Sequence, residues 1–189
     1  MRKGFWLVIF AVLATAAWAT DLDPEGNNAC GAGSLESDPS TIEGDDYFQK
    51  LYDNLNAKIG DNELYKITDD DDTVWNSGSL QDNDQYSYFM VKFEKPAGYS
   101  SGTLHWQVWT QVMGADVYMY RWNKSASPHE WSYLDSNPGR GGPPYYLPPD
   151  TKTYPIPGSY FDANGDLWLL FKAAGHAEWV DCDVCMITY

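Results

Sequence analysis

From Tyr86 to Tyr189 the chain is a series of short runs in which apolar side chains recur at every second position, and each run ends near Gly, Pro, Asn or Asp. A period of two sends successive side chains to opposite faces of an extended strand, so this pattern builds sheet and not helix. In Tyr86–Glu94 the odd positions Ser87, Phe89, Val91 and Phe93 read as inward, and Tyr86, Tyr88, Met90, Lys92 and Glu94 as outward. In residues 103–112 the inward set is Leu104, Trp106, Val108, Thr110 and Val112, and the outward set is His105, Gln107, Trp109 and Gln111. Residues 117–122 place Tyr118, Tyr120 and Trp122 on one side and Val117, Met119 and Arg121 on the other, and residues 131–134 add a further strand. Roughly seven to nine short strands at turn-separated spacing predict an all-β antiparallel sandwich.

The last thirty residues close that sandwich. Residues 159–162 lead into Ala163-Asn164-Gly165, and the apolar run Leu167-Trp168-Leu169-Leu170-Phe171 follows. Asn-Gly accepts the positive φ of a tight turn, so residues 159–172 read as a β-hairpin. Residues 179–189 read as the final strand. Asp162-x-Asn164-x-Asp166 resembles the start of a calcium loop, but Ala173 stands where the bidentate Glu would fall, and turn chemistry explains the triplet better.

Residues 1–19 carry a basic start at Arg2 and Lys3, an apolar stretch, and the small-x-small pattern Ala17-Trp18-Ala19. These are the three parts of a secretory leader, so cleavage near Ala19 and a secreted or periplasmic location are expected. The apolar stretch is shorter than the roughly 20 residues of a membrane span, and no insertion in a membrane is expected. The expected organisation is leader 1–19, an irregular acidic and glycine-rich segment 20–46 that is extended or a single edge strand, and one β-sandwich domain 47–189. Phe48, Leu51, Tyr52, Leu55 and Ile59 recur at helical spacing, which predicts one short helix within residues 46–59, although Asn54, Asn56 and Gly60 oppose its second half.

With 27 acidic and 12 basic residues the net charge is −15, a surface that repels nucleic acid and anionic membrane. Three cysteines in an oxidising compartment suggest one disulfide and one leftover thiol. Cys182 and Cys185 have redox-motif spacing, but in a regular strand side chains three apart face opposite ways. Cys30 is therefore the expected partner of Cys185, with Cys182 as the alternative.

Residues Val117 to Asn123, a polar turn, and Trp131 to Leu134 resemble paired strands of secreted jelly-roll domains in the galactose-binding-like superfamily. Tyr160-Phe-Asp-Ala-Asn-Gly-Asp-Leu167 and Asp183-Val-Cys-Met-Ile187 resemble the C-terminal hairpin and closing strand of the same domains. The resemblance covers residues 64–189. It implies a jelly roll that serves as a noncatalytic carbohydrate-binding or cell-surface module, and it transfers no catalytic residue.

Three regions are candidate sites. Sugars stack their C–H faces on exposed rings while amides and acids bind the hydroxyls, which suits the outward set His105, Gln107, Trp109 and Gln111, extended by Tyr86 and Tyr88 if the strands are neighbours. The proline-rich stretch 137–158 would hold Tyr145 and Tyr146 for contact, or else cover a sheet edge. Asp69, Asp70, Asp71 and Asp72 concentrate hard oxygen ligands suited to a structural calcium, with a solvated acidic turn as the alternative. Catalytic motifs are sparse: His129-Glu130 begins a zinc-protease pattern that fails at Tyr133, and no Gly-x-Ser-x-Gly elbow occurs. The expected function is noncatalytic binding of a glycan or cell-surface component. A small polysaccharide hydrolase or lyase, and a structural subunit of a surface layer or filament, are the alternatives.

Overall fold

The computed structural model describes residues 19–26, 29–68, 74–77, 86–110, 115–138, 150–176 and 180–189. Their strands, all antiparallel to their neighbours, form two sheets. In chain order these are β1 (Asp21–Leu22), β2 (Gly31–Leu35), β3 (Leu55–Lys58), β4 (Trp75–Asn76), β5 (Tyr86–Glu94), β6 (Ser101–Thr110), β7 (Val117–Asn123), β8 (Glu130–Asn137), β9 (Lys152–Pro157), β10 (Asp166–His176) and β11 (Val180–Thr188). The first sheet runs β1-β11-β6-β9, with β4 also paired to β11, and the second runs β3-β2-β5-β10-β7-β8. Strands β5 and β6 lie in different sheets, and the chain changes sheet again at each step from β8 to β11. The paired orders β4-β11-β6-β9 and β5-β10-β7-β8 are those of a jelly roll, with β2 and β3 added at one edge.

The core follows from the alternation. Phe89, Val91 and Phe93 of β5, Leu167, Leu169 and Phe171 of β10, and Val117 and Met119 of β7 face Leu104, Trp106 and Val108 of β6 and Val180, Cys182, Cys185 and Ile187 of β11. All are almost fully buried, and each large apolar side chain so placed contributes about 1.5–3 kcal/mol. The rings of Phe89, Phe171 and Trp106 interlock, with Trp106 5.3 Å and Phe89 6.1 Å from Phe171.

Local chemistry departs from expectation at five places. The helix α1 is Asp45–Asp53; it ends at Asn54, and Leu55–Lys58 continues as β3, so Leu55 and Ile59 are buried by different means than a helical stripe. The segment expected to be irregular supplies an interior strand, β2, paired on both sides. Its Gly-Ala-Gly start carries no hydrophobic signal because space forbids side chains: a Cβ on Gly33 would lie 2.5 Å from Asn54 O and 2.6 Å from Tyr88 Oη. The expected hairpin is instead a crossing between sheets. Its turn is real, with Gly165 at φ 88° and Asp162 Oδ1 accepting from the amides of Asn164 and Asp166, but Gly158–Tyr160 is a 3-10 turn, and β9 and β10 belong to opposite sheets. The proline-rich stretch contains a strand, β9, whose Pro155 and Pro157 sit at the edge of the first sheet, where a missing amide costs no ladder bond.

The fifth departure is in β11. The pairing with β6 slips between Cys182, opposite Val108, and Val184, opposite Gln107, which makes Asp183 an inserted bulge residue. The bulge turns both Cys182 and Cys185 into the core, where Cys30 also lies. The expected Cys30–Cys185 bridge is not formed: all three cysteines are free thiols, Cys30 Sγ donating to Glu25 O at 3.3 Å and Cys182 Sγ to Val184 O at 3.8 Å.

Burial pushes the Cys30 thiol up to about 12 and Cys182 and Cys185 well above their ordinary 9.0. Because the thiolate is the nucleophile, the native chain at about pH 8 should resist iodoacetamide and react at three positions once denatured. Mass spectrometry after a timed quench reads this; equal labelling of native and denatured protein would contradict the buried placement. The folded state holds these protons where the unfolded chain releases them, so stability is intact below about pH 9 and falls as pH climbs toward 12.

Candidate functional site

The two-sheet architecture divides the residues expected to form one surface. Tyr86 and Tyr88 lie on β5 in the second sheet, while His105, Gln107 and Trp109 lie on β6 in the first. Their strands are not neighbours, so the two sets do not join. Gln107 and Trp109 are buried at 6% and 9% exposure, and half-buried His105 is held with Nε2 2.6 Å from Thr188 Oγ1. Tyr88 is completely buried; its hydroxyl donates to Leu51 O at 2.8 Å, and burial raises its pKa. It supports the helix and is closed to a ligand. Gln111, Tyr145, Tyr146 and Asp69 to Asp72 lie outside the described residues.

The outer face of the second sheet has a part covered by α1 and a part beside the turn Pro39–Thr41. In the covered part, Tyr88 and Met90 of β5, Leu170 of β10, Trp122 of β7 and Trp131 of β8 form a second apolar cluster beneath Leu51 of α1 and Leu55 of β3. Phe48 fills its centre, 5.1 Å from Trp122, 6.0 Å from Trp131 and 5.3 Å from Trp168. The helix is moored at its start, where Gly44 N donates to His129 O at 2.7 Å and His129 Nδ1 lies 2.8 Å from Asp45 Oδ1.

In the other part, beside the turn Pro39–Thr41, Tyr86, Tyr118 and Tyr120 surround one lysine and Tyr133 packs against two of them. Register explains the gathering: Lys172 of β10 stands opposite Tyr88 on one side and Tyr118 on the other, and Leu170 stands opposite Tyr120. Pairing of β7 with β8 slips between Met119, opposite Asp135, and Tyr120, opposite Tyr133, which brings Tyr133 onto the same face as Tyr120. Tyr133 is 56% exposed and packs edge-on against Tyr118 at 6.4 Å and Tyr120 at 5.7 Å. Tyr86, Tyr118 and Tyr120 are half-buried.

Lys172 is only 7% exposed. Its Nζ donates to Asp38 Oδ2 at 2.7 Å and to Ser40 Oγ at 3.1 Å, and lies 6.0, 5.8 and 5.6 Å from the ring centres of Tyr86, Tyr118 and Tyr120. These are the outer distances at which a cation gains from a ring. Asp38 caps the 3-10 turn Pro39–Thr41, its Oδ1 accepting from Ser40 N at 2.9 Å and Ser40 Oγ at 2.7 Å. Burial works to raise the Asp38 pKa, but the hydrogen bonds from Lys172 and Ser40 outweigh it and hold the carboxyl below its ordinary 3.8. The result is a shelf of tyrosine rings with an ionised carboxylate at its margin. Rings can stack on apolar C–H faces, and a carboxylate with spare lone pairs can accept from hydroxyls.

The sequence carried two signals for this surface: aromatic residues at alternate positions 118, 120 and 122, and a lone lysine ending the apolar run of β10. Nothing local linked them to Asp38, which is 134 residues from Lys172 in the chain. A separate carboxylate group surrounds Lys92 of β5, with Glu94 of β5, Asp166 of β10 and Glu25 from the segment after β1; Lys92 Nζ lies 2.8 Å from Glu25 and 2.9 Å from Asp166.

The strand order defines a jelly-roll β-sandwich. No family model and no curated protein matches the chain. Solved structures to which the chain is similar include adhesin domains, carbohydrate-binding modules and the enzymatically active domain of a bacteriophage CBA120 tailspike protein. The K3 cleaved adhesin domain of Lys-gingipain from Porphyromonas gingivalis is 17% identical, with 60% of this chain and 69% of that one covered at a TM-score of 0.36. The CBM32-3 module from a family 31 glycoside hydrolase of Clostridium perfringens is 12% identical, with 62% and 74% covered at 0.32. A carbohydrate-binding module of the β-sandwich superfamily is 9% identical, with 84% and 56% covered at 0.36. At these scores the fold rests on the strand order itself.

Lys172→Met removes two hydrogen bonds, one of them to a charged group, and should lower unfolding free energy by about 1–3 kcal/mol at neutral pH. Asp38 is more acidic folded than unfolded, so its contribution is present at neutral pH and lost as pH falls through 3.8 and below. Urea unfolding at neutral and acid pH should therefore show a shallower acid loss for the variant than for the parent. Identical curves would mean the pair contributes nothing.

Proposed function

We propose that the protein is a secreted, noncatalytic carbohydrate-binding module acting at a cell surface or on a glycan, and that the tyrosine shelf of the second sheet is its binding face. One observation carries this reading: Tyr86 of β5, Tyr118 and Tyr120 of β7 and Tyr133 of β8 share one sheet face, with Lys172 of the intervening β10 bonded to Asp38 among them and the adjoining part of the same face sealed by α1. Rings mounted on paired strands are held in place before a ligand arrives, so little conformational entropy is lost on binding. The leader pattern in residues 1–19 supports export. The net charge of −15 argues for a partner other than nucleic acid or anionic membrane. The noncatalytic reading is supported by the place of the Glu25, Glu94 and Asp166 group, which is tied to Lys92 of β5, apart from the tyrosine shelf.

A glycan array with the chain lacking residues 1–19, run with and without calcium because Asp69 to Asp72 offer hard ligands, tests the reading. Tyr133→Ala and Tyr118→Ala should each weaken the best signal about tenfold while leaving thermal stability nearly unchanged for the exposed Tyr133. Silence on every glycan, or binding indifferent to both substitutions, would remove this function or this face respectively.

A further inference from the structure

We infer that the tyrosine shelf selects neutral glycans and turns away uronate, sialylated and sulfated ones, with Asp38 as the specificity-determining residue; this rests on the carbohydrate reading above. The inference comes from how Lys172, the cation that the described residues place among the rings, is used. Lys172 looks at first like an anion receptor, but its ammonium is buried, its donors go to Asp38 Oδ2 and Ser40 Oγ, and three tyrosine faces surround it. An arriving carboxylate or sulfate would have to displace Asp38 from a 2.7 Å ion pair. The Asp38 side chain is 28% exposed against 9% for that of Lys172, so the charge an incoming ligand meets first is the negative one. Ser40 fixes the carboxylate by two further hydrogen bonds and denies it an easy retreat. The field of a chain with net charge −15 adds long-range repulsion to the same effect. A neutral sugar meets no such obstacle, since its hydroxyls can donate to Asp38 while its C–H face lies on the rings. Rejection of the charged competitor is specificity by unfavourable contact, added to whatever attraction the rings supply.

The experiment compares binding of neutral oligosaccharides with matched oligosaccharides carrying a uronic acid, at low and at physiological salt, for the parent protein and for Asp38→Asn. The parent should prefer the neutral member of each pair by about tenfold or more, with the gap narrowing as salt screens the repulsion. Asp38→Asn keeps an oxygen for Ser40 N but frees the Lys172 charge, and should shift the ratio toward the acidic member by about tenfold. Thermal unfolding of Asp38→Asn shows whether it remains folded, and the parent comparison decides the matter without it. Equal or tighter binding of uronate glycans by the parent overturns the selectivity while leaving glycan binding intact. Absence of binding to either member overturns both.

Discussion

Strand β10 is the member on which the rest depends, because it is paired on both sides, to β5 and β7, and its two faces serve different structures. Leu167, Leu169 and Phe171 enter the core between the sheets, while Trp168 and Leu170 enter the cluster under α1, and Lys172 anchors the tyrosine shelf. Side chains alternate strictly along a strand, so one register fixes all three at once, and a slip of one residue would exchange core for surface. The position of Lys172 is therefore guaranteed by the burial of Leu169 and Phe171. A site built this way inherits the rigidity of the core without being part of it.

The same strand explains why the second sheet needs a cover over part of its outer face only. Leu170, Met90, Trp122 and Trp131 continue the apolar surface outward, and water must be excluded from them. Helix α1, nine residues long, is too short to be stable alone, so its form depends on laying Phe48, Leu51 and Tyr52 on that cluster. Where the apolar surface ends, at Lys172, cover is replaced by a polar tie to the Asp38 turn. The segment between residues 36 and 54 thus crosses from ion pair to helix, following the change in chemistry of the strands beneath it.

Most of the sandwich was legible because its strands obey the simple period: the buried apolar residues of β5 and β6 that face the core are those that alternation selects as inward. What escaped was every feature set by contact between distant parts. Strand β2 begins Gly-Ala-Gly because Tyr88 and the β3 backbone press against it, and absence of side chains leaves no pattern to read. The face of Cys182 and Cys185 depends on one inserted residue, Asp183, which periodicity counts as an ordinary position. Trp109 and Tyr88 alternate outward correctly, yet outward is not the same as exposed once a strand's second face is also covered. The shelf itself needed the β5-β10-β7-β8 order, and alternation within one strand says nothing about which strand lies beside it.

That order bears directly on what the shelf can recognise. The chain has 12 basic residues against 27 acidic ones, and the shelf centres on one of the few cations. Had that cation been left open, the natural ligand would be an anion, and its long-range attraction would have to work against the field of the whole protein. Instead the lysine is sunk below the rings and answered by Asp38, so the charge that faces outward agrees in sign with the rest of the surface. Burying an ammonium is costly unless it is paired and hydrogen-bonded, and here both conditions are met, by Asp38 and by Ser40. The pair is thus a structural necessity of ending an apolar strand face in lysine, and the proposed ligand preference rests on the geometry that this necessity leaves at the surface.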